Sequence, residues 1–216
     1  MIKFNVIMTK AKKNNKLKLT PKKMALLMAI ISLVSFLYKL GLGIISTSMI
    51  LIVASMSTLA VCICKFLFWH KMNGTRSEKK RTYFFMMILA LAFGILFLLF
   101  AVLKVGGIDT ASKNNFKGIF AYIFIAFVIL MFVLSIINLK GALQKDDLIF
   151  IGIKETIFVS ALADAVIIEE FLYKVILKYQ GIPFMGLINN YFPLITAVAM
   201  LMVPFYMFKR FKNYEA

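Results

Sequence analysis

Residues 148–172 read LIFIGIKETIFVSALADAVIIEEFL. As a helix rising 1.5 Å per residue this stretch spans about 37 Å, enough to cross a hydrocarbon core of about 30 Å. Yet it carries Lys154, Glu155, Asp164, Glu169 and Glu170. An aspartate at the centre of a membrane helix costs about 2.5–3.5 kcal/mol on insertion scales. The other apolar segments of the chain carry almost no acid, so the cost is accepted here alone and points to a use here. Thr156, Ser160 and Asp164 are spaced four residues apart, which places them on one helix face. That face is expected to look into a helix bundle or a wet cavity rather than into lipid.

The rest of the chain supplies the bundle. Of 216 residues, 62% are hydrophobic and 16% charged, a balance that excludes an ordinary soluble domain and fits a multi-span membrane protein. Apolar segments at 24–40, 44–64, 83–103, 118–139, 148–172 and 191–208 predict an all-α membrane fold of six transmembrane helices. The first follows positive charge as a signal peptide would, but no small-residue cleavage site follows it and a second span begins at once. Gly41-Leu42-Gly43 predicts the turn between the first two helices, and 174–190, with Gly181, Pro183 and Gly186, predicts a loop. Pro193 suits the first turn of the sixth helix. Ala54, Thr58 and Cys62, and Ala90 with Gly94, place small residues four apart for close helix approach.

Charge orients the bundle. The net charge of +17 would suggest nucleic acid in a soluble protein. Here the lysines flank apolar spans, so orientation and anionic lipid headgroups are the better reading, and no nucleic acid is expected. Residues 1–23 form a basic tail with eight lysines and no acid. Together with the basic loop 65–81, which holds Trp69 and His70, the 140–145 lysines and the C-terminal Lys209, Arg210 and Lys212, it makes one side of the bundle strongly positive. Both termini are therefore expected in the cytoplasm, in a cell membrane crossed by residues 24–210, with a short tail at 211–216. Cys62 and Cys64 lie two apart, on roughly opposite sides of a helix, and predict neither a disulfide nor a zinc knuckle.

Lys39, Gly43 and the run Thr47-Ser48-Met49-Ile50-Leu51-Ile52-Val53-Ala54-Ser55-Met56-Ser57 resemble the second-helix signature of cation diffusion facilitators, and Gly74-Thr75-Arg76-Ser77-Glu78 resembles the loop before that family's third helix. The resemblance implies six helices with both ends cytoplasmic and polar residues on the second and fifth. It also implies a tetrahedral divalent-metal site built from two positions on each of those helices, four residues apart. The matching positions are Ser57 and Val61, and Ser160 and Asp164. Asp164 is the one good metal ligand among them, and one carboxylate with two hydroxyls suits a hard ion, a proton or a polar solute better than zinc. The cytoplasmic metal-binding domain of the family, through which its dimers make contact, has no counterpart in the sequence, so a homodimer is implied only by the family plan.

These readings give a transport-site expectation of Asp164, Ser160, Ser57 and Thr156, with a divalent cation as the only cofactor in view and Lys39 as a charge partner for Asp164. Intramembrane carboxylates are functional by default, yet the same aspartate also suits a purely structural bond between helices. The preferred function is a degenerate relative of the cation diffusion facilitators that handles a cation or a proton. The alternative is a non-transporting membrane protein that binds lipid or another membrane protein. An enzyme is not expected. Glu169-Glu170 with Lys174 resembles the Glu-Glu-x-x-x-Arg motif of membrane-embedded CAAX-type proteases, but the single histidine, His70, lies far upstream. Glu155, Glu169 and Glu170 are otherwise expected as acids of the membrane interface.

Overall fold

The computed structural model describes residues 21–107, 119–144, 147–173 and 183–214. Among these residues six helices follow one another: α1 (Pro21–Ile45), α2 (Met49–Lys71), α3 (Arg76–Val105), α4 (Ile119–Leu143), α5 (Leu148–Leu172) and α6 (Pro183–Asn213). Five of them, all but α5, are long and apolar enough to cross a membrane by length and composition. Large apolar side chains point outward, among them Ile31, Val34, Leu99, Leu130 and Phe205, while Ala29, Ala54, Ala90, Ser55 and Ser57 are buried. Small and hydroxyl residues inside with bulky hydrocarbon outside is the distribution of a protein dissolved in lipid. The chain is a multi-pass integral membrane protein.

Several helix ends differ from the sequence reading, each for a local reason. The reversal expected at Gly41-Leu42-Gly43 is helical. The chain turns instead at 46–48, where Thr47 adopts a positive φ of 50°. Gly43 serves contact rather than turning, since a Cβ there would lie 2.9 Å from Ile52 Cγ1 of α2. Lys65 does not end α2, because its long side chain reaches back and its Nζ donates to Ser32 Oγ on α1 at 2.6 Å. The helix therefore runs on through Trp69 and His70, and the expected basic loop shrinks to 72–75. Thr75 starts α3 with a capping box, in which its hydroxyl accepts from the Glu78 N–H and Glu78 accepts from the Thr75 N–H. α6 begins at Pro183, eight residues before the expected start, as a proline at the first helical position allows. Pro193 thus lies in the helix interior rather than in its first turn, as does Pro204. The helix also takes in 211–213 of the expected C-terminal tail. The basic stretch 1–20, the 108–118 loop, Lys145 and Lys174 lie outside the described residues.

Side-chain contacts fix how the helices run. Lys22 lies over the Trp69 ring, Arg76 over Tyr214, and Lys80 over Phe211, at 4.7–5.7 Å. Lys79 pairs with Asp147, which caps α5 by accepting from the N–H groups of Ile149 and Phe150. These contacts gather the start of α1, α3 and α5 and the end of α2 and α6 at one basic end. The opposite end holds the ends of α1, α3 and α5. The helices thus alternate in direction. α1 packs on α2, α3 packs on α6, and α5 lies between these pairs, touching α2, α3, α4 and α6. The helix richest in acid is the one with the most neighbours, so its carboxylates are spared from lipid.

Candidate functional site

Asp164 sits eight residues before the end of α5, and Lys39 six before the end of α1. The Lys39 ammonium donates to Asp164 Oδ1 at 2.6 Å and Oδ2 at 2.8 Å, and to Thr58 Oγ1 of α2 at 3.2 Å. Lys39 is 6% exposed, so the pair is nearly dry. Two opposite charges enclosed together satisfy one another, whereas either one left alone would carry its full desolvation penalty. A lysine near the end of a lipid-facing helix would ordinarily bend its stem toward headgroups. Here it turns inward to the one acid on this face of α5.

The other members of the polar stripe meet α2. Ser160 Oγ and Ser57 Oγ lie 3.0 Å apart, both buried, and Ser57 Oγ donates to the Ala54 carbonyl at 2.7 Å. One turn closer to the basic end, Cys64 Sγ faces Thr156 Oγ1 at 3.7 Å, and that hydroxyl donates to the Gly152 carbonyl. The antiparallel α2–α5 seam therefore carries three polar levels in order: Cys64–Thr156, Ser57–Ser160, and Thr58–Lys39–Asp164. The structure brings together all four expected transport-site residues, Asp164, Ser160, Ser57 and Thr156, along one seam with Lys39. Val61, the remaining position implied by the family resemblance, is a buried apolar residue.

The seam lacks the donor set of a tetrahedral zinc site. Among the described residues no group of three or more His, Cys, Asp or Glu side chains could hold one. Asp164 is the only carboxylate of the seam, and an ammonium group already occupies both of its oxygens. Cys62 points away, with its thiol toward the Ala29 carbonyl of α1 at 3.4 Å.

A second polar cluster lies on the far side of α5. Glu155, 4% exposed, accepts from the Tyr83 hydroxyl of α3 at 2.9 Å and from the Arg210 guanidinium of α6. Expected as an interface acid, it is instead enclosed among three helices, because a tyrosine and an arginine satisfy it there. The close approach depends on Gly152, where a Cβ would lie 2.7 Å from the Tyr83 ring. Nothing in the sequence singled out Arg210 from Lys209 and Lys212. The only signal was that one α5 acid, Glu155, falls off the stripe containing Asp164. At the other end Lys104 Nζ donates to Asn189 Oδ1 at 3.0 Å, tying α3 to α6. Glu169 and Glu170 close α5 near that end, and Glu170 too is buried rather than exposed to the interface. His70 occupies the last turn of α2 at the basic end, the length of the bundle away from this acid pair, so the two cannot share a hydrolytic site.

Comparison with protein-family models, curated proteins and solved structures finds no match. The likeness to cation diffusion facilitators accordingly rests on the quoted residues alone.

Proposed function

We propose that this membrane protein is a small carrier in which a cation or a proton passes beside Asp164, with the basic end of the bundle in the cytoplasm. The observation that carries the reading is the Lys39–Asp164 pair, which joins a buried lysine of α1 to the acid-rich helix α5 beside the Ser57–Ser160 contact. A buried ion pair is rarely more stabilising than the apolar side chains that could replace it, so stability alone gives little reason to keep one in a membrane. The pair has the chemistry of an exchange site. Lys39 acts as a tethered cation on the carboxylate. A proton or a small hard cation arriving at Asp164 releases the ammonium, for which Thr58 Oγ1 is the neighbouring acceptor. Departure of the cargo lets the pair close again. The α2–α5 contact is also what a degenerate cation diffusion facilitator would use, since those are the helices to which the resemblance assigns the site. Orientation with the basic end inside follows from the excess of Lys and Arg there.

The test is flux through liposomes containing the purified protein, with a panel of monovalent and divalent cations and with an imposed proton gradient. Asp164→Asn should abolish the flux that the wild type shows. Equal flux in the two would remove Asp164 from the mechanism.

One observation favours a second reading, a non-transporting protein that binds lipid or a membrane partner. Every hydroxyl and charge of the α2–α5 seam already has a protein partner, as glue between helices requires. Its basic end, with Arg76, Lys80 and Lys212 beside aromatic rings, suits anionic headgroups. On this reading no cargo in the panel moves, and protein binding shifts with the anionic fraction of the vesicles.

A further inference from the structure

Asp164 and Glu155 are nine residues apart on one helix. Nine steps of 100° bring the second residue to the opposite face, and nine rises of 1.5 Å separate the two by about 13 Å in depth. The two ion pairs are therefore diagonal to one another across α5. Asp164 reaches Lys39 of α1 beside Thr58 of α2, toward the end opposite the basic one. Glu155 reaches Arg210 of α6 beside Tyr83 of α3, toward the basic end. The helices on each side are themselves paired, α1 with α2 and α3 with α6. α5 is thus fastened to one helix pair near one end and to the other pair near the other end. The Ser57–Ser160 contact lies between the two levels. Had the pairs served only to glue α5 in place, nothing would require them to occupy opposite faces at opposite depths.

We propose that the two ion pairs are alternating latches: release of Lys39–Asp164 admits water from the end that holds it, while Glu155–Arg210 stays shut, and the converse. The proposal rests on the carrier reading and supplies its gates. Two helix pairs that tilt about a central helix are rigid bodies, and breaking one diagonal contact at a time is what separates an opening at one end from an opening at both. The event that releases the first latch is the exchange at Asp164. The event that releases the second is the parting of Arg210 from Glu155, with the Tyr83 hydroxyl left as the carboxylate's neutral partner. No covalent bond forms or breaks in either.

The test uses the full chain in liposomes, with Cys62 and Cys64 replaced by alanine and one reporter cysteine on α5 at a time. Ile167→Cys reports the level just beyond Asp164, and Ile151→Cys the level one turn toward the basic end from Glu155. Both positions are buried, at 6% and 5% exposure, so a membrane-impermeant maleimide labels each slowly when both latches are closed. Asp164→Asn is expected to speed labelling at Ile167→Cys about tenfold and to leave Ile151→Cys unchanged, while Arg210→Gln does the reverse. The charge exchange Lys39→Asp with Asp164→Lys restores slow labelling at Ile167→Cys and shows that the bundle is intact. Equal acceleration at both reporters, or at neither, overturns the latches. The readout is independent of cargo: flux without alternation leaves a carrier with other gates, and alternation without flux leaves the latches and removes the carrier.

Discussion

Helices α4 and α5 are each 25 residues long and follow one another in the chain, yet the membrane treats them oppositely. α4 touches only α5 among the described helices and turns Phe127, Leu130, Leu134 and Ile137 outward. Ser135, a buried hydroxyl of this helix, bonds to its own backbone at Phe132. α5 is surrounded, and its polar groups reach α1, α2, α3 and α6. In water an apolar helix is the buried one. Here the more polar helix is inside, because lipid leaves a charge no partner and neighbouring helices supply one. Polarity in this chain therefore marks the centre of the fold, and substitutions on the two helices should have opposite rules.

The sharpest break of that contrast is at Asp164. Replacing it with leucine leaves the Lys39 ammonium enclosed without its counter-charge, and loss of one member of a buried pair costs about 3–5 kcal/mol. The unfolding midpoint in detergent should fall steeply. Adding Lys39→Met should return most of that stability, since apolar replacement of both members is often neutral or better. If the double variant stays as unstable as the single one, the pair is not the relevant partner of Asp164. Flux in the stable double variant would contradict the exchange mechanism. The reciprocal change on α4, Leu130→Asp, places an acid against lipid and should weaken membrane insertion by about 2.5–3.5 kcal/mol, read as the inserted fraction in microsomes.

Glycines sharpen the same comparison at smaller scale. Gly152 of α5 has the Tyr83 ring and Met86 Sδ where a Cβ would go, at 2.7 and 3.1 Å, whereas Gly141 of α4 has nothing within 4 Å. Gly152→Ala must push the Tyr83 ring away from Glu155, and overpacking of this kind costs about 1–3 kcal/mol. Gly141→Ala meets open space and should gain up to about 1 kcal/mol from helix propensity. Thermal unfolding of the two variants side by side should give shifts of opposite sign.

The same contrast explains what the amino-acid order made legible. The Thr156, Ser160 and Asp164 stripe could be read because a four-residue spacing of polar groups has one geometric meaning in a membrane helix. Lys39 could be named because few cations lie within reach of the far end of the bundle. Arg210 could not, since Lys209 and Lys212 look the same until α6 is docked and only one of the three turns toward Glu155. Helix ends depart from the sequence reading wherever a polar residue is compatible with the helix. Lys65 marks a boundary by composition, yet its flexible stem lets the charge reach Ser32 while the backbone continues. Pro183 looked like a loop residue, although the missing N–H of a proline is no loss in a first turn.

The smallest effect discriminates most finely between the two helices. Ser160→Ala removes the partner of Ser57 between α5 and α2. Interhelical hydrogen bonds in membranes average about 0.6 kcal/mol, because the unfolded helix also finds partners for its hydroxyls. Ser135→Ala on α4 removes a hydroxyl bonded only to the carbonyl three residues earlier. That bond survives when the helices separate, so its loss should leave the unfolding free energy unchanged. A double-mutant cycle of Ser57→Ala with Ser160→Ala should return a coupling near 0.6 kcal/mol, and Ser57→Ala with Ser135→Ala should return none. Coupling in the first cycle alone places the α2–α5 seam where polar side chains hold helices together. Absence of coupling in both would mean that the hydroxyls of the two helices are equivalent, and that the seam owes its order to shape and to the Lys39–Asp164 pair.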